Sequence, residues 1–269
     1  MPPVIPLTEI PTLPLLYKLK HLHAPAQAAL FPASQSLNNK ISLLRTDITS
    51  LAVDAIVNAA NNSLLGGGGV DGAIHCGAGP SLLEECRTLD GCATGSAKIT
   101  DAYELPCKKV IHAVGPVYYR AKREGKHTQY LRGCYRKSLE LAVANGCRSV
   151  AFSAISTGVY GYPSGEAAAT AIEEVRRFLE KEKGGEELDR VVFCVFEAKD
   201  ERAYTEWLPK FFPPTEKVPG THERESGQET DKSESELSAE RLPDPPTEEP
   251  TDKEGPLAKK AKVDDSLNK

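Results

Sequence analysis

Several features that identify common protein classes are missing from this chain of 269 residues. No apolar run approaches the roughly 20 residues that a membrane-spanning helix needs. The first residues also lack the charged stretch and the uninterrupted apolar segment of a secretory signal. We therefore expect an intracellular protein, in the nucleus or the cytoplasm, that does not associate with membranes.

Cysteine pairs with the spacing of a redox or metal motif are missing as well. The chain has seven cysteines, an odd number, and no two of them form a Cys-x-x-Cys motif. Scattered cysteines of this kind predict reduced thiols. Zinc sites need clustered Cys and His ligands, and the sequence shows no such cluster. We expect neither a metal ion nor another cofactor, and activity should persist in the presence of a chelator.

The chain has no excess of basic residues, which would indicate a nucleic-acid binder. Its formal net charge is −5. The segment 214–269 holds 15 acidic and 9 basic residues, and residues 1–213 hold the remaining 23 acidic and 24 basic ones. The part before residue 214 is therefore almost neutral, and nucleic acid is not an expected partner.

Large apolar residues are scarce in the acidic segment 214–269, which is rich in Glu, Ser, Pro, Thr, Asp and Lys. Such a segment cannot bury enough surface to offset the entropy lost on ordering, so we predict a disordered acidic tail. Lys259, Lys260 and Lys262 form a short basic cluster near its end. This cluster fits a nuclear localisation signal, and it fits a solvated charge cluster equally well.

The remaining chain divides into an extension, 1–39, and a folded domain, 40–213. We expect one helix in the extension, packed on the domain. Within the domain, short runs rich in Val and Ile are bounded by turn residues, which is typical of strands, and they alternate with segments of helical periodicity. The predicted strands are 41–44, 55–58, 97–102, 109–114, 149–155 and 190–196, and the predicted helices are 129–145, 165–183 and 201–212. This alternation indicates an α/β sandwich.

Four consecutive glycines, Gly66, Gly67, Gly68 and Gly69, lie between a predicted strand and a short predicted helix. Consecutive glycines lose much backbone entropy on folding and are tolerated where no side chain fits. Their N–H groups can form a concave site for an anion, and the following helix N-terminus adds a favourable dipole. No Gly-Lys-Ser/Thr follows, so the segment is not a P-loop. Taken alone, the glycines fit a flexible turn equally well.

A second glycine-bearing loop follows the predicted strand 149–155 and precedes a predicted helix. Its residues are Ser156, Thr157, Gly158, Val159, Tyr160, Gly161 and Tyr162. In open α/β sheets, ligands bind at the carboxyl ends of strands, and two such loops suit a diphosphate better than a single phosphate. A tight strand-to-helix connection is the alternative interpretation of this loop alone.

Polar side chains surround the two loops. Asn58 and Asn61 can donate and accept hydrogen bonds, which suits ribose hydroxyls. Asp71 follows the glycines and can reach a water molecule beside a ligand. Asp47 can accept from an adenine amino group and Phe196 can stack on a purine ring. As isolated residues, these two are more often a helix cap and a core residue.

Taken together, these residues resemble the macrodomain family, and within it the MacroD-type ADP-ribosyl hydrolases. The matching segments are 47–49, 53–61, 64–72, 94–100, 110–116 and 155–161. The resemblance covers about 40–213 and leaves the extension and the tail unexplained. It implies a three-layer α/β/α sandwich with a mixed central sheet.

The resemblance also implies roles for the site residues. Asn61 and Asp71 would carry catalysis, and His75 would position the catalytic loop from behind. Asp47 and Ile48 would hold adenine, and the two loops would wrap the diphosphate and the distal ribose. The implied binding residues are Asp47, Ile48, Thr49, Ala59, Ala60, Asn61, Gly66, Gly67, Gly68, Gly69, Val70, Asp71, Ser156, Thr157, Gly158, Val159, Tyr160, Gly161, Tyr162 and Phe196.

The implied activity is hydrolysis of ADP-ribose esters: removal of mono-ADP-ribose from acidic side chains of proteins, and deacetylation of O-acetyl-ADP-ribose. The partners would be ADP-ribose, its esters and mono-ADP-ribosylated proteins, and the protein would act as a monomer. Two other functions fit the same loops: a reader that binds ADP-ribosylated proteins without cutting them, and an RNA- or poly(A)-binding module. Asn61 and Asp71 favour the hydrolase, because a reader needs no water-activating carboxylate. The near-neutral domain disfavours RNA binding.

Three positions depart from the family pattern. Thr46 stands where the family has Gly, Cys76 stands where an Arg follows the helical His, and Ser153-Ala154 stands where Pro-Cys commonly precedes the second loop. The change to Cys76 removes a cation near the site and could alter affinity or substrate choice. None of the three alters the glycines or the residues implied in catalysis.

Overall fold

The computed structural model describes residues 3–181 and 185–215. The predicted acidic tail from residue 216 onward, with its basic cluster, lies outside the described residues. The strands are β1 (Ile5–Pro6), β2 (Ile41–Arg45), β3 (Leu51–Ala52), β4 (Ala55–Ala60), β5 (Ala97–Asp101), β6 (Lys109–Val114), β7 (Ser149–Phe152) and β8 (Arg190–Val195). The helices are α1 (Leu13–Lys18), α2 (Gln35–Lys40), α3 (Gly69–Ala78), α4 (Pro80–Thr88), α5 (Tyr118–Arg123), α6 (His127–Ala144), α7 (Ser164–Lys181) and α8 (Ala198–Phe211). Within these described ranges, no helix is long and apolar enough to cross a membrane.

Six strands form the central sheet, in the order β2-β8-β7-β4-β6-β5. Neighbouring strands pair in parallel, except that β5 runs antiparallel to β6. The mixed sheet that the resemblance implied is therefore confirmed. Because the five parallel strands run in one direction, their carboxyl ends lie along one edge of the sheet.

Helices cover both faces of this sheet and bury two separate cores. Along β4, Ile56 and Ala60 belong to the core that contains residues of α3 and α4, and Val57 belongs to the core that contains residues of α6, α7 and α8. β7 is buried at all four positions and β8 at all but its first. Strands covered on both faces are expected to be apolar throughout. The predicted three-layer α/β/α sandwich is confirmed.

The predicted strands and long helices are present, with differences at their ends and in the shorter helices. The predicted strand 149–155 ends at Phe152, and the chain from Ser153 onward forms a loop. α2, α4 and α5 were not predicted. α4 begins at Pro80 directly after Gly79, whose φ is +78°, and a Gly-Pro pair in a sequence indicates a turn.

The extension packs on the domain through α1. Leu13, Leu16 and Tyr17 join the core that contains α6 and α7. The Tyr17 hydroxyl donates to the carbonyl of Phe212 at 2.8 Å, and this buried bond joins residues 195 positions apart. One helix was expected in the extension, and it holds two: α1 and all of α2 except Lys40.

The extension also reaches the opposite face of the sheet. β1 pairs in parallel with β3, with Ile5 opposite Leu51. Ile5 and Ile10 pack in the core that contains Ile48. No pattern in the sequence indicated this pairing, because β1 and β3 are only two residues long.

Candidate active site

A cleft of about 710 Å³ opens at the carboxyl edge of the sheet. Its walls are the segments that follow β2, β4, β6, β7 and β8. Open α/β sheets bind their ligands at this edge. The parallel strands therefore bring residues that are far apart in the sequence to one place.

The glycine loop forms one wall of the cleft. Gly66 and Gly69 have φ values of +83° and +59°, which residues with a Cβ rarely adopt. A Cβ on Gly67 would lie 3.1 Å from Asp71 Oδ2 and 3.3 Å from Asn61 Nδ2. The glycine at position 67 thus leaves room between a carboxylate and a carboxamide at the cleft surface.

Asn61 is held in one orientation by the loop that follows β4. Its Nδ2 donates to the carbonyl of Gly66 at 2.8 Å. Its Oδ1 accepts from the backbone N–H and the hydroxyl of Ser63, at 3.0 and 2.6 Å. The amide nitrogen is therefore the part of Asn61 that lies beside Gly67.

Asp71 lies in the first turn of α3 and is 3% exposed. Its Oδ1 accepts from Asn58 Nδ2 at 2.6 Å and lies 3.5 Å from His75 Nε2, one helical turn further on. Burial raises the pKa of the Asp71 carboxyl group, while the hydrogen bond from Asn58 and the nearby His75 oppose the increase. A raised pKa suits a carboxylate that must take up a proton from water.

Asn58 does not line the cleft. Its side chain is fully buried between Asp71 and His112. The expectation that Asn58 meets a ribose hydroxyl is wrong, because its side chain is directed toward Asp71 of α3 and His112 of β6 and not into the cleft.

His75 lies behind the glycine loop, as expected. A Cβ on Gly66 would lie 3.5 Å from its ring. His75, Gly66 and Cys76 line a separate hollow of about 430 Å³ next to the cleft. Cys76 is exposed there, so the departure from the family's Arg changes this hollow and not the wall of the cleft.

The second glycine-bearing loop forms another wall. Ser156 has a φ of +69°, an uncommon value for a residue with a side chain, and among the described residues its buried Oγ has no hydrogen-bond partner. A Cβ on Gly115 would lie only 2.1 Å from this Oγ. Thr157 Oγ1 donates to Asp200 Oδ2 at 3.0 Å. Unusual backbone angles of this kind concentrate at ligand-binding sites.

Asp47, Ile48 and Phe196 lie together at one end of the cleft, because β2 and β8 are neighbours in the sheet. Asp47 Oδ1 accepts from the backbone N–H and the hydroxyl of Thr49, at 2.9 and 2.7 Å. Asp47 therefore caps a short 3-10 helix and also lines the cleft, and its contact with an adenine amino group stays a prediction. Phe196 is half-buried and lines the cleft, and is not a core residue.

The cleft brings together most of the predicted binding residues. Those that line it are Asp47, Ile48, Ala59, Ala60, Asn61, Gly67, Gly68, Gly69, Val70, Asp71, Ser156, Thr157, Gly158, Val159, Tyr160 and Phe196. The predicted residues that do not line it are Thr49, Gly66, Gly161 and Tyr162. The Thr49 hydroxyl bonds to Asp47. Gly161 closes a turn through its N–H to the carbonyl of Gly158. Tyr162 is 2% exposed, because its ring packs 4.7 Å from that of Tyr118.

Asp200 is the most informative residue that sequence reasoning missed. It lies in the first turn of α8, lines the cleft and is 3% exposed. Burial raises the pKa of its carboxyl group, and hydrogen bonds from Ser164 and Thr157 oppose the increase. The signal that points to Asp200 is its position just after the last strand, because ligands bind at strand ends. The other missed lining residues are Thr46, Ala73, Gly115, Ser153, Ala154, Ile155, Cys194, Glu197 and Lys199.

A group of possible metal ligands lies behind the cleft. Ligand atoms of His75, Cys86 and His112 lie within 4.8 Å of one another. The prediction that Cys and His do not cluster is therefore wrong, because α3, α4 and β6 bring these three residues together. Both ring nitrogens of His112 already have partners, Asn58 at 3.2 Å and Thr100 at 3.0 Å. A metal ion bound to His112 would have to displace one of these hydrogen bonds.

Known proteins resemble this chain over the region that builds the cleft. Residues 57–171 match the family model described as Macro domain. A Rattus norvegicus protein named ADP-ribose glycohydrolase MACROD1 is 54% identical over 183 residues, which cover 68% of this chain and 70% of the relative. A Xenopus laevis protein named ADP-ribose glycohydrolase MACROD2 is 50% identical over 209 residues, which cover 78% of this chain and 49% of the relative. The matched region thus spans about half the length of the Xenopus protein.

Solved structures resemble it too. The Trypanosoma brucei macrodomain in complex with ADP-ribose matches with a TM-score of 0.62 and 40% sequence identity. The match covers 76% of this chain and 77% of that one. The sheet order and the two loops agree with this match, and more than half of the 183 aligned residues are identical in the rat relative. This chain belongs to the macrodomain family.

Proposed function

We propose that the protein hydrolyses ADP-ribose esters, releasing mono-ADP-ribose from acidic side chains of proteins and acetate from O-acetyl-ADP-ribose. Two relatives are named ADP-ribose glycohydrolases, and a related macrodomain was solved with ADP-ribose bound. The observation that carries the proposal is the position of Asp71. One oxygen of this buried carboxylate is fixed by Asn58, and the other lies beside Gly67 at the cleft surface.

The diphosphate of the substrate would bind between the two loops. Gly68 is the N-cap of α3 and provides no capping side chain, so the first backbone N–H groups of the helix can donate to an anion. The segment 156–160 lines the same cleft. Asp47 and Phe196 at the other end would receive the adenine, through its amino group and its ring face.

In this arrangement the distal ribose lies against Gly67, between Asn61 and Asp71. Asn61 Nδ2 would hold a ribose oxygen, and Asp71 Oδ2 would orient a water molecule. The water oxygen would bond to the ester carbonyl carbon while one of its protons passes to Asp71. The bond between that carbon and the ribose oxygen would then break, and Asp71 would return the proton to the leaving ribose oxygen, which becomes a hydroxyl. Close approach of the sugar depends on the absent side chain at Gly67, because a Cβ there would contact both catalytic groups.

Replacement of Asp71 tests this function. A positioned general base typically contributes 10²–10⁴-fold to turnover, so we expect Asp71→Ala to lower turnover by about that factor. The substrate is a protein carrying glutamate-linked mono-ADP-ribose, and released ADP-ribose is the readout. Calorimetry with ADP-ribose should show a smaller change in affinity, because Asp71 contributes to the reaction more than to binding. Exposed Glu84, replaced by Ala, is the matched control.

The same experiment separates the hydrolase from a reader. A wild-type protein that binds ADP-ribose in the calorimeter but releases none from the modified target would be a reader, and the hydrolase proposal would be wrong. Undiminished turnover in Asp71→Ala would leave the activity in place but remove Asp71 from its role. Parallel reactions with O-acetyl-ADP-ribose measure the preference between the two ester substrates.

A further inference from the structure

A chain of buried polar groups leads from Asp71 into the central sheet. Asn58 lies on β4, and His112 is its partner residue on the neighbouring strand β6. We propose that His112 is a positioning residue that acts through Asn58 to hold the Asp71 carboxylate with one oxygen directed to the cleft. The inference rests on the proposed hydrolysis, because it explains how the catalytic carboxylate is oriented.

The contacts along this chain are short and closed to solvent. Asn58 Nδ2 lies 2.6 Å from Asp71 Oδ1 and 3.2 Å from His112 Nδ1. His112 Nε2 lies 3.0 Å from Thr100 Oγ1 and 3.7 Å from Cys86 Sγ. Asn58 and His112 are 0% exposed and Thr100 is 2% exposed. No bulk water can therefore replace a member of the chain, and each group depends on its protein neighbour.

Donors and acceptors allow one arrangement when Asp71 is ionised. A carboxylate only accepts hydrogen bonds, so Asn58 must direct its amide nitrogen toward Asp71. The second proton of that nitrogen goes to His112 Nδ1, which must then be an unprotonated acceptor. The ring proton is on Nε2, where Thr100 Oγ1 accepts it. The tautomer of His112 thus determines which way the Asn58 amide faces.

The ring of His112 keeps this role because it stays neutral. Burial, together with the neighbouring His75, lowers the pKa of His112 to about 3. A protonated ring would direct an N–H group at the N–H group of Asn58, and the chain would break. A neutral imidazole provides an acceptor and a donor at fixed positions on one rigid ring, which suits a link between a catalytic loop and a strand.

Two substitutions at position 112 distinguish a His112 that positions Asp71 through Asn58 from a His112 that only fills space in the core. In His112→Asn the side-chain oxygen occupies the place of Nδ1 and can still accept from Asn58. In His112→Gln the amide group occupies the place of Nε2, and the acceptor for Asn58 is lost. We expect kcat to fall by up to roughly 10²-fold in the Gln variant, the effect of a misplaced reacting group, and to stay near the wild-type value in the Asn variant.

Binding and stability measured on both variants complete the test. KM and the calorimetric affinity for ADP-ribose should change little, because His112 lies behind the cleft and does not line it. Equal kcat in the two variants, or a loss of ADP-ribose affinity that parallels the loss of turnover, would overturn the positioning role. Melting temperatures show whether either variant is unfolded under the assay conditions.

A measurement on the wild-type protein does not depend on how the variants fold. Nitrogen-15 NMR of the histidine rings distinguishes the two neutral tautomers, and we expect His112 to carry its proton on Nε2. A proton on Nδ1 would contradict the proposal, even if ester hydrolysis is confirmed. Absence of turnover in the wild-type protein would instead disprove the proposed function. The NMR result and the turnover result therefore test the positioning role and the proposed function separately.

Discussion

At the scale of the residue, the ionised form of Asp71 that the proposed hydrolysis needs is also the form that lowers the stability of the fold. The side chain is 3% exposed, and burial raises the pKa of its carboxyl group despite the partners that oppose the increase. A group whose pKa is higher in the folded state than in the unfolded state reduces the free energy of unfolding once pH passes its unfolded pKa. At neutral pH the ionised Asp71 therefore destabilises the fold that it serves.

We expect Asp71→Asn to raise the melting temperature at neutral pH while it removes most of the turnover. Asn keeps an oxygen that can accept from Asn58, and it carries no charge. The stabilisation should be absent near pH 4, about the usual pKa of this group, and should grow as pH rises through the raised folded-state pKa. Each kcal/mol relieved corresponds to roughly 2–4 °C in a protein of this size.

Melting curves from about pH 4 to about pH 8 check this expectation, with the exposed substitution Glu84→Gln as the control. An Asp71→Asn protein that melts at or below the wild-type temperature over the whole range would show that the buried charge is fully compensated. A melting-temperature difference that shrinks with rising pH would contradict the sign of the pKa shift.

Some features of individual residues could have been predicted from the sequence, and others could not. The face that Asn58 shares with Ile56 and Ala60 could have been predicted from alternation along β4, although Ala60 lines the cleft and Asn58 does not. The pairing of Asn58 with His112 could not, because strand order is set by packing of the whole domain. The bond between Thr157 and Asp200 joins a loop to the first turn of α8, 43 residues apart, and no local sequence pattern predicts it.

At the scale of the element, the second glycine-bearing loop depends on a glycine outside it. Gly115 follows β6, and a Cβ there would lie 2.1 Å from Ser156 Oγ and 2.6 Å from Ile155 Cγ2. Ser156 already has a positive φ, so it has little freedom to move aside. The shape of the loop is thus set jointly by the ends of β6 and β7, which are separated in the sheet by β4.

We expect Gly115→Ala to weaken ADP-ribose binding by about tenfold or more, equivalent to roughly 1.4 kcal/mol, because the second loop must shift away from the bound diphosphate. Calorimetry with ADP-ribose measures the change. Gly165→Ala is the control, since a Cβ there would meet only Trp207, at 3.8 Å. Unchanged affinity in Gly115→Ala would show that the loop can adapt at little cost.

The elements were predicted well where one physical signal dominated. Buried Val and Ile runs identified the strands of the central sheet, and long periodic segments identified α6, α7 and α8. The signal failed for short elements: α4 begins at the proline of a Gly-Pro pair, which in a sequence indicates a turn, and β1 is too short to show alternation. Three further residues of the cleft, 153–155, were missed because the predicted strand was extended through them.

At the scale of the whole molecule, the two ends of the described chain are joined. Tyr17 of α1 donates to the carbonyl of Phe212, and Asn38 Nδ2 donates to the carbonyl of Pro213 at 2.9 Å. The buried guanidinium of Arg176 donates to the carbonyls of Pro32 and Phe211. The extension and the last helix therefore stabilise each other against the same face of the sheet.

We expect Tyr17→Phe to reduce the free energy of unfolding by about 1–3 kcal/mol, because it leaves a buried carbonyl without its donor. At roughly 2–4 °C per kcal/mol, the melting temperature should fall measurably while kcat is unchanged. Tyr103→Phe is the control, since the Tyr103 hydroxyl donates to Glu85 at the surface. Equal melting temperatures for the two variants would show that the buried bond contributes no more than an exposed one.

The pairing of β1 with β3 connects the extension to the end of the cleft that is proposed to hold adenine. β3 begins directly after the 3-10 helix Ile48–Ser50 that Asp47 caps, and Ile5 packs in the same core as Ile48. A recombinant fragment trimmed to the region of family resemblance, starting near Lys40, would retain every loop of the cleft and lose the strand that packs behind its Asp47 end. Selectivity among nucleotides measured on such a fragment would describe a looser pocket than the one that the full chain builds.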